Sequence, residues 1–174
     1  EIKLPNNLRI IEDGAFSGCK IEGIDLPLSL ISIGNNAFSN CTNLVSVTLP
    51  SSLRSIRGGV FSLCDNLRYI NVSKDSEYFM SIDGVLFDKK KEKLIGYPIG
   101  RKGSKYIVPN GVKEIGDGAF QGSSLKKVKL PSSIKRIGNE AFDYCLKLKD
   151  VNLPQSLFSI GDNAFSSCSM LENI

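Results

Sequence analysis

The chain has 174 residues, 41% hydrophobic and 23% charged, with a net charge of +4 and no histidine. This is the composition of one folded domain, which excludes a disordered polar tail. No apolar run approaches the roughly 20 residues that span a bilayer, so no membrane span is expected in this segment.

Taken from its start, the chain opens at Glu1 inside a strand-like segment, without an initiator Met or a charged-then-apolar leader. It stops at Ile174, where a further strand is due, and neither end has the polar cap that a stacked array normally carries. Residues 1–174 are therefore read as a single solenoid domain, a piece of a longer array. Prolines recur at Pro5, Pro27 and Pro50, then at Pro109, Pro131 and Pro154, spaced 22 and then 23 residues in each triplet. Phenylalanines keep the same beat, at Phe16, Phe38 and Phe61 and again at Phe120, Phe142 and Phe165. Two independent markers thus agree on a period in the range of leucine-rich solenoids, whose units cannot bury their apolar faces alone.

One unit can be followed from Leu44 to Phe61. Alternation along Ser46-Val47-Thr48-Leu49 predicts a short strand with Val47 and Leu49 inward. Pro50, lacking an N–H, ends it and begins a turn. Leu53 and Ile56 then point back inward. Glycine follows in most units (Gly34, Gly116, Gly138, Gly161), read as a place where positive φ turns the chain cheaply. The third unit has Arg57 there with Gly58-Gly59 after it, so its turn is expected to shift. The Ala-Phe pair comes next and predicts a core spine, one ring per layer. Cysteine follows three residues after Phe at Cys19, Cys41, Cys64, Cys145 and Cys168, with Ser123 in the same slot. Side chains stacked about 4.8 Å apart are too far for disulfides, which need Cβ atoms near 3.8 Å, so the cysteines read as a column of buried free thiols. With no Cys-x-x-Cys pair and no histidine, no metal site and no cofactor are expected.

Pro50 and Pro109 are 59 positions apart, one period of 23 plus a modified unit over residues 73–108. Its runs Glu77 to Asp88 and Leu94 to Pro98, joined by the charged Lys89-Lys90-Lys91-Glu92-Lys93, predict a hairpin insertion. Phe79, Val85, Phe87, Leu94 and Tyr97 are expected to carry the core through it, and Tyr106-Ile107-Val108-Pro109 restores the beat. The fold class that follows is an α/β or mostly β, right-handed solenoid of about seven coils, with short parallel strands on one face and short helical or irregular segments opposite. Its apolar columns are expected to interlock down one dry axis.

The unit from Leu26 to Thr48, with Pro27, Ile33-Gly34, Ala37-Phe38 and Cys41, resembles the BspA-like leucine-rich repeats, also called the Treponema-type class. Even the odd unit is similar to a variant of that class, through Ser81 to Phe87, Tyr97-Pro98 and Tyr106 to Pro109. The resemblance covers nearly the whole chain. It implies a bacterial or protozoan surface or secreted protein that binds other proteins, some members being adhesins for host proteins. It transfers no binding residue, because the motif residues are core residues.

Binding then falls to what varies outside the motif. Outward strand positions form two columns, Gly23, Ser46, Tyr69, Lys127 and Asp150 in one, Asp25, Thr48, Asn71, Lys129 and Asn152 in the other. Of these, Ser46, Thr48, Tyr69, Asn71, Lys127, Lys129, Asp150 and Asn152 are the candidate partner-binding residues, for a protein partner such as a host extracellular protein. The basic hairpin is a second candidate surface. Catalysis is not expected, since the usual general base is absent and no paired carboxylates recur. Nucleic acid is not expected either, because three lysines on one coil and a basic hairpin make no continuous stripe with stacking aromatics. The chain reads as a monomer at a cell surface or outside the cell; the alternative is a structural spacer in a multidomain surface protein.

Overall fold

The computed structural model describes residues 2–174. Cut at the prolines, and at Ser73 where proline is missing, the chain divides into coils 5–26, 27–49, 50–72, 73–108, 109–130, 131–153 and 154–174. The strands are β1 (Ile10–Ile11), β2 (Ser32–Ile33), β3 (Ser46–Leu49), β4 (Ser55–Ile56), β5 (Tyr69–Val72), β6 (Phe79–Ile82), β7 (Val85–Asp88), β8 (Lys93–Gly96), β9 (Lys105–Ile107), β10 (Glu114–Ile115), β11 (Lys127–Lys129), β12 (Arg136–Ile137), β13 (Asp150–Val151) and β14 (Ser159–Ile160). They build two faces. A front side holds β3 beside β5, then, after a break, β9, β11 and β13; a rear side holds β1, β2 and β4, then, after a break, β8, β10, β12 and β14, and from β8 that second rear sheet continues through β7 to β6, both of which pack against β5. Register repeats from coil to coil, with Ile33 opposite both Ile11 and Ile56 and Val128 opposite Tyr106 and Val151.

The corner between front and rear strands is made by the proline. The N–H three residues on donates to the proline carbonyl, as Leu30 does to Pro27 at 3.0 Å and Leu53 to Pro50 at 3.2 Å. A serine two residues after the proline donates its hydroxyl to the coil before: Ser29 to Leu8, Ser52 to Leu30, Ser133 to Val112, Ser156 to Ile134. These bonds satisfy carbonyls that no strand reaches.

The third side contains no helix, which removes the α/β alternative and leaves the mostly β one: the described residues form a β-solenoid. The cause lies in the backbone. Two residues flanking each Ala-Phe pair are left-handed: Gly14 and Gly18, Asn36 and Asn40, Gly59 and Leu63, Gly118 and Gly122, Glu140 and Tyr144, Asn163 and Ser167, all with φ between 53 and 78°. A left-handed residue every fourth position cannot continue a right-handed helix. Instead the N–H groups alternate in direction. In the second coil those of Ser39 and Cys41 close turns onto Asn36 and Phe38, while those of Asn36, Phe38 and Asn40 donate to Gly58, Val60 and Ser62 of the next coil.

This edge also changes the reading of the glycines. Gly34, Gly116, Gly138 and Gly161 do not adopt positive φ. They are small because the preceding coil lies against them: a Cβ on Gly34 would stand 2.5 Å from the Asp13 nitrogen, one on Gly138 2.7 Å from the Asp117 nitrogen. The first coil carries Glu12 at this position. Nor does the third turn shift, since Gly59 has φ 65° and Asn36 N–H donates to Gly58 in the same register as elsewhere.

Inside, rings stack in parallel, Phe16 on Phe38 at 5.3 Å and Phe120 on Phe142 at 4.9 Å between centroids. Burying each ring contributes roughly 1.5–3 kcal/mol. The single axis is not what forms, however. The interior divides into two apolar clusters, and β7 is the wall between them: Leu86 packs into the N-terminal cluster, Val85 and Phe87 into the C-terminal one. All three side chains are fully buried. The run from Glu77 to Asp88 was expected to be one arm of a hairpin. It folds on itself at Asp83-Gly84, so that β6, β7 and β8 form an antiparallel meander, and β8 then joins β10 in parallel. The left-handed φ of 50° at Asp83 and 78° at Gly84 supplies the tight turn that splits the run.

Candidate recognition surface

Coil four adds strands to both sheets but no Ala-Phe turn. Along the turn edge the third coil therefore bonds directly to the fifth, Gly59 N–H to Asp117 O at 3.0 Å and Ser62 Oγ to Gly118 O at 3.2 Å. From coil four Tyr97 reaches in, its N–H donating to Ala119 O at 2.8 Å and its ring lying 5.1 Å from that of Phe120. The three-sided prism is continuous on one edge and split on its two sheets.

One recurring position on the turn edge, the residue after the Ile-Gly glycine, commits its polar side chain to the stack. Asp13 Oδ1 accepts from Asn35 N–H at 2.6 Å, Asn35 Oδ1 from Gly58 N–H at 3.2 Å, Asp117 Oδ1 from Asn139 N–H at 2.8 Å, and Asn139 Oδ1 from Asp162 N–H at 2.9 Å. The Asn35 amide and then its backbone N–H hold the Asp13 carboxyl below the usual range. The thiols are committed too. Cys41, Cys64, Cys145 and Cys168 each place Sγ 3.1 Å from the carbonyl of the preceding coil's phenylalanine, to which the S–H donates. Burial pushes the Cys64 thiol up to about 12, and contact with the Cys168 thiol, ahead of burial, pushes Cys145 up. Because the thiolate is the nucleophile, the raised thiols of Cys41, Cys64 and Cys145 are chemically quiet near neutral pH.

The front face is the opposite case. Ser46 lies beside Tyr69 and Thr48 beside Asn71 across β3 and β5, and Lys127 lies beside Asp150 across β11 and β13. The eight sequence-chosen residues thus form two groups of four, on either side of the break between β5 and β9. Ser46, Thr48, Tyr69, Asn71 and Lys129 are exposed, and among the described residues no hydrogen bond or ion pair holds their side chains. Lys127 and Asp150 pair with each other. Asn152 is not free: its Oδ1 accepts from Leu130 N–H and its Nδ2 donates to Leu130 O, both at 3.0 Å, continuing the ladder past the end of β13.

Five further residues belong to this face: Lys105 and Ile107 on β9, and Arg68, Arg101 and Lys102 around the break. Lys105 and Ile107 take the places of Lys127 and Lys129 in the register, and Ile107 is 69% exposed. Counting back from Pro109 as from Pro131 would have placed both. Arg101 and Lys102 lie in a loop with no counterpart in other coils, so no column pointed to them. The loop is pinned where Gly100 N–H donates to Leu67 O at 2.8 Å, and a Cβ on Gly100 would meet the Asn66 carbonyl carbon at 2.5 Å.

Among the described residues no group of three His, Cys, Asp and Glu is placed to hold a metal, and no helix is long and apolar enough to cross a membrane. A family model described as the BspA type leucine rich repeat region matches residues 1–91 and 101–174 in six copies. A search of curated proteins finds no match. Among solved structures, the pneumococcal vaccine antigen PcpA is similar over 94% of this chain and 53% of its own, at 29% identity and a TM-score of 0.76. A leucine rich cell surface protein from Faecalibacterium prausnitzii is similar over 97% and 51%, at 29% identity and 0.77. The T. pallidum leucine rich repeat protein is similar over 94% and 72%, at 30% identity and 0.56. The chain therefore spans about half the length of the first two.

Proposed function

The chain belongs to the BspA-type leucine-rich repeat family, and on that premise we propose that it is the protein-recognition module of a bacterial cell-surface or secreted protein, taking a protein partner on its front face in the manner of an adhesin. The observation that carries this reading is the contrast in how polar groups are used. Asp13, Asn35, Asp117 and Asn139 on the turn edge are consumed by bonds between coils, while Ser46, Thr48, Tyr69, Asn71 and Lys129 stand in register, exposed and uncommitted. A rigid surface of this kind binds with little ordering cost. Tyr69, 54% exposed, is the aromatic anchor such a surface needs, and the exposed lysines supply charge steering. Recognition fits the chemistry better than catalysis does, since the buried thiols are bonded and held protonated.

Capture of purified extracellular proteins on the immobilised chain tests this. Tyr69→Ala with Asn71→Ala, or Lys127→Glu with Lys129→Glu, should weaken capture about tenfold or more if these positions hold anchors. Arg136→Glu on the rear face should leave it unchanged. Capture lost only through rear-face changes would refute the front-face assignment, and no capture from a broad panel would favour the spacer reading.

A further inference from the structure

The two lips of the break in the front sheet differ. On the β5 side the edge is closed: Ile70 N–H donates to Gly84 O at 2.9 Å, and Ser81 Oγ donates to Ile70 O at 2.6 Å. On the β9 side it is open. The N–H groups of Lys126 and Lys127 both donate to Ser104 O, and Val108 N–H donates to Lys129 O, so residues 104, 106 and 108 turn their backbone groups to β11. Strand alternation then turns the N–H and C=O groups of Lys105 and Ile107 toward the break, where β9 is the terminal strand and nothing among the described residues pairs with them. Long open edges are normally covered or blunted because they template pairing with another chain.

Beside this edge, between β5 and the loop that leads into β9, opens a cleft of about 400 Å3 lined by Arg68, Tyr69, Arg101 and Lys102. Among the described residues no carboxylate lines it. Arg101 is held in place, its Nη1 donating to Asp83 O and its guanidinium lying 5.9 Å from the centroid of the Tyr97 ring. Arg68, Lys102 and Lys105 are exposed and have no acidic partner among the described residues.

We propose that the split front sheet docks an extended acidic segment of a protein partner, which adds as a strand to the free edge of β9 and lays its carboxylates against Arg68, Lys102 and Lys105. This rests on the protein-recognition reading and narrows it. Main-chain groups two residues apart on one edge, about 6.8 Å, match another strand and not a sugar or a nucleic-acid backbone. Ile107 beside the edge offers an apolar contact to alternate side chains, and one tyrosine is no stacking platform for bases.

The test uses the whole chain and a fluorescent Glu/Val alternating peptide of about eight residues, a usual strand length, read by anisotropy. Ile107→Pro removes the N–H that faces the break while sparing the β9–β11 bonds. That variant, and separately a copy of the peptide N-methylated along one edge, should each weaken binding about five- to tenfold, the loss of one net hydrogen bond. Lys102→Glu with Lys105→Glu should weaken it further, and a Lys/Val peptide should not bind. Equal binding of the methylated peptide, or of a heparin fragment, would show plain charge attraction and overturn strand addition, as would no peptide binding. Should Ile107→Pro fail to fold, the methylated peptide on the unaltered chain decides the matter. A protein partner held on the front face alongside failure of every peptide would sink this docking mode alone; absence of both would sink the recognition reading with it.

Discussion

The regular coils and coil four bury the same kind of apolar surface by different means. A regular coil leaves one strand on each sheet and one Ala-Phe turn between them, and its neighbours supply everything else: Phe142 lies between Phe120 and Phe165, at 4.9 and 5.1 Å. Coil four has thirteen or fourteen residues more than its neighbours, no such turn, and must supply its own interior. It does so with a strand buried on both faces, Leu86 to one side and Val85 with Phe87 to the other. The comparison teaches that periodicity stacks coils cheaply, whereas a break in the period has to be walled off and leaves the sheets split. Both the closed interior wall and the open front cleft come from that one insertion.

That contrast is broken most severely inside β7. Phe87→Ala should cost about 3–5 kcal/mol and Leu86→Ala about 2–5 kcal/mol, with the damage divided: amide exchange should accelerate mainly in residues 109–174 for Phe87→Ala and mainly in residues 5–72 for Leu86→Ala. Phe16→Ala, at a half-buried ring on the end of its stack, should cost clearly less in the same urea titration. Uniform loss of protection from either β7 change would mean that β7 is no wall.

Among the regular coils, Gly138→Ala sharpens the comparison, because the added Cβ meets backbone atoms of the coil before, Asp117 N at 2.7 Å and Gly116 C at 2.8 Å. Overpacking of this kind should cost about 1–3 kcal/mol. Gly23→Ala, where nothing lies within 4 Å, should stay within about 0.5 kcal/mol. Equal effects at the two sites would refute close stacking as the reason for the Ile-Gly pair.

A smaller effect concerns pH. Burial raises the folded Cys64 thiol to about 12, against about 8.5 in an unfolded chain. A raised folded pKa gives stability that is complete below the unfolded value and is lost as pH climbs toward the folded one. Urea midpoints should therefore fall from about pH 8.5 upward, and Cys64→Ser, which keeps a donor for Phe38 O, should flatten part of that fall. In the native state at neutral pH the buried thiols should label slowly and then promptly on denaturation. Rapid native labelling of Cys41, Cys64 and Cys145 would contradict their burial.

Much of this architecture was legible in the residues. Pro27, Pro50, Pro131 and Pro154 mark the corners, Phe38 and Phe142 the spine, and Cys41 and Cys145 the thiol column, because each repeats against an identical neighbour. Sequence alone leaves the third side open between helical and irregular because Glu140, Tyr144, Leu63 and Ser167 carry no sign of left-handed backbone; bonds to adjacent coils impose it. The role of Gly34 and Gly138 was missed for the same reason, their constraint lying in another coil. Alternation placed Ser46 to Asn71 and Lys127 to Asn152 on the front face, yet it could not tell that Asn152 bonds Leu130, nor reveal Arg101 and Lys102, which sit in a loop that occurs once. What repeats can be read from one unit; what occurs once depends on contacts no neighbour in the sequence reports.

The direct bond of coil three to coil five across the missing turn is tested by hydrogen exchange at Gly59. Its amide, donating to Asp117 O at 3.0 Å, should be protected to a degree similar to those of Asn36 and Gly118, which make the same bond in regular coils. Exchange of Gly59 at the rate of an open amide, with Asn36 and Gly118 protected, would show two separate stacks joined only through the hairpin.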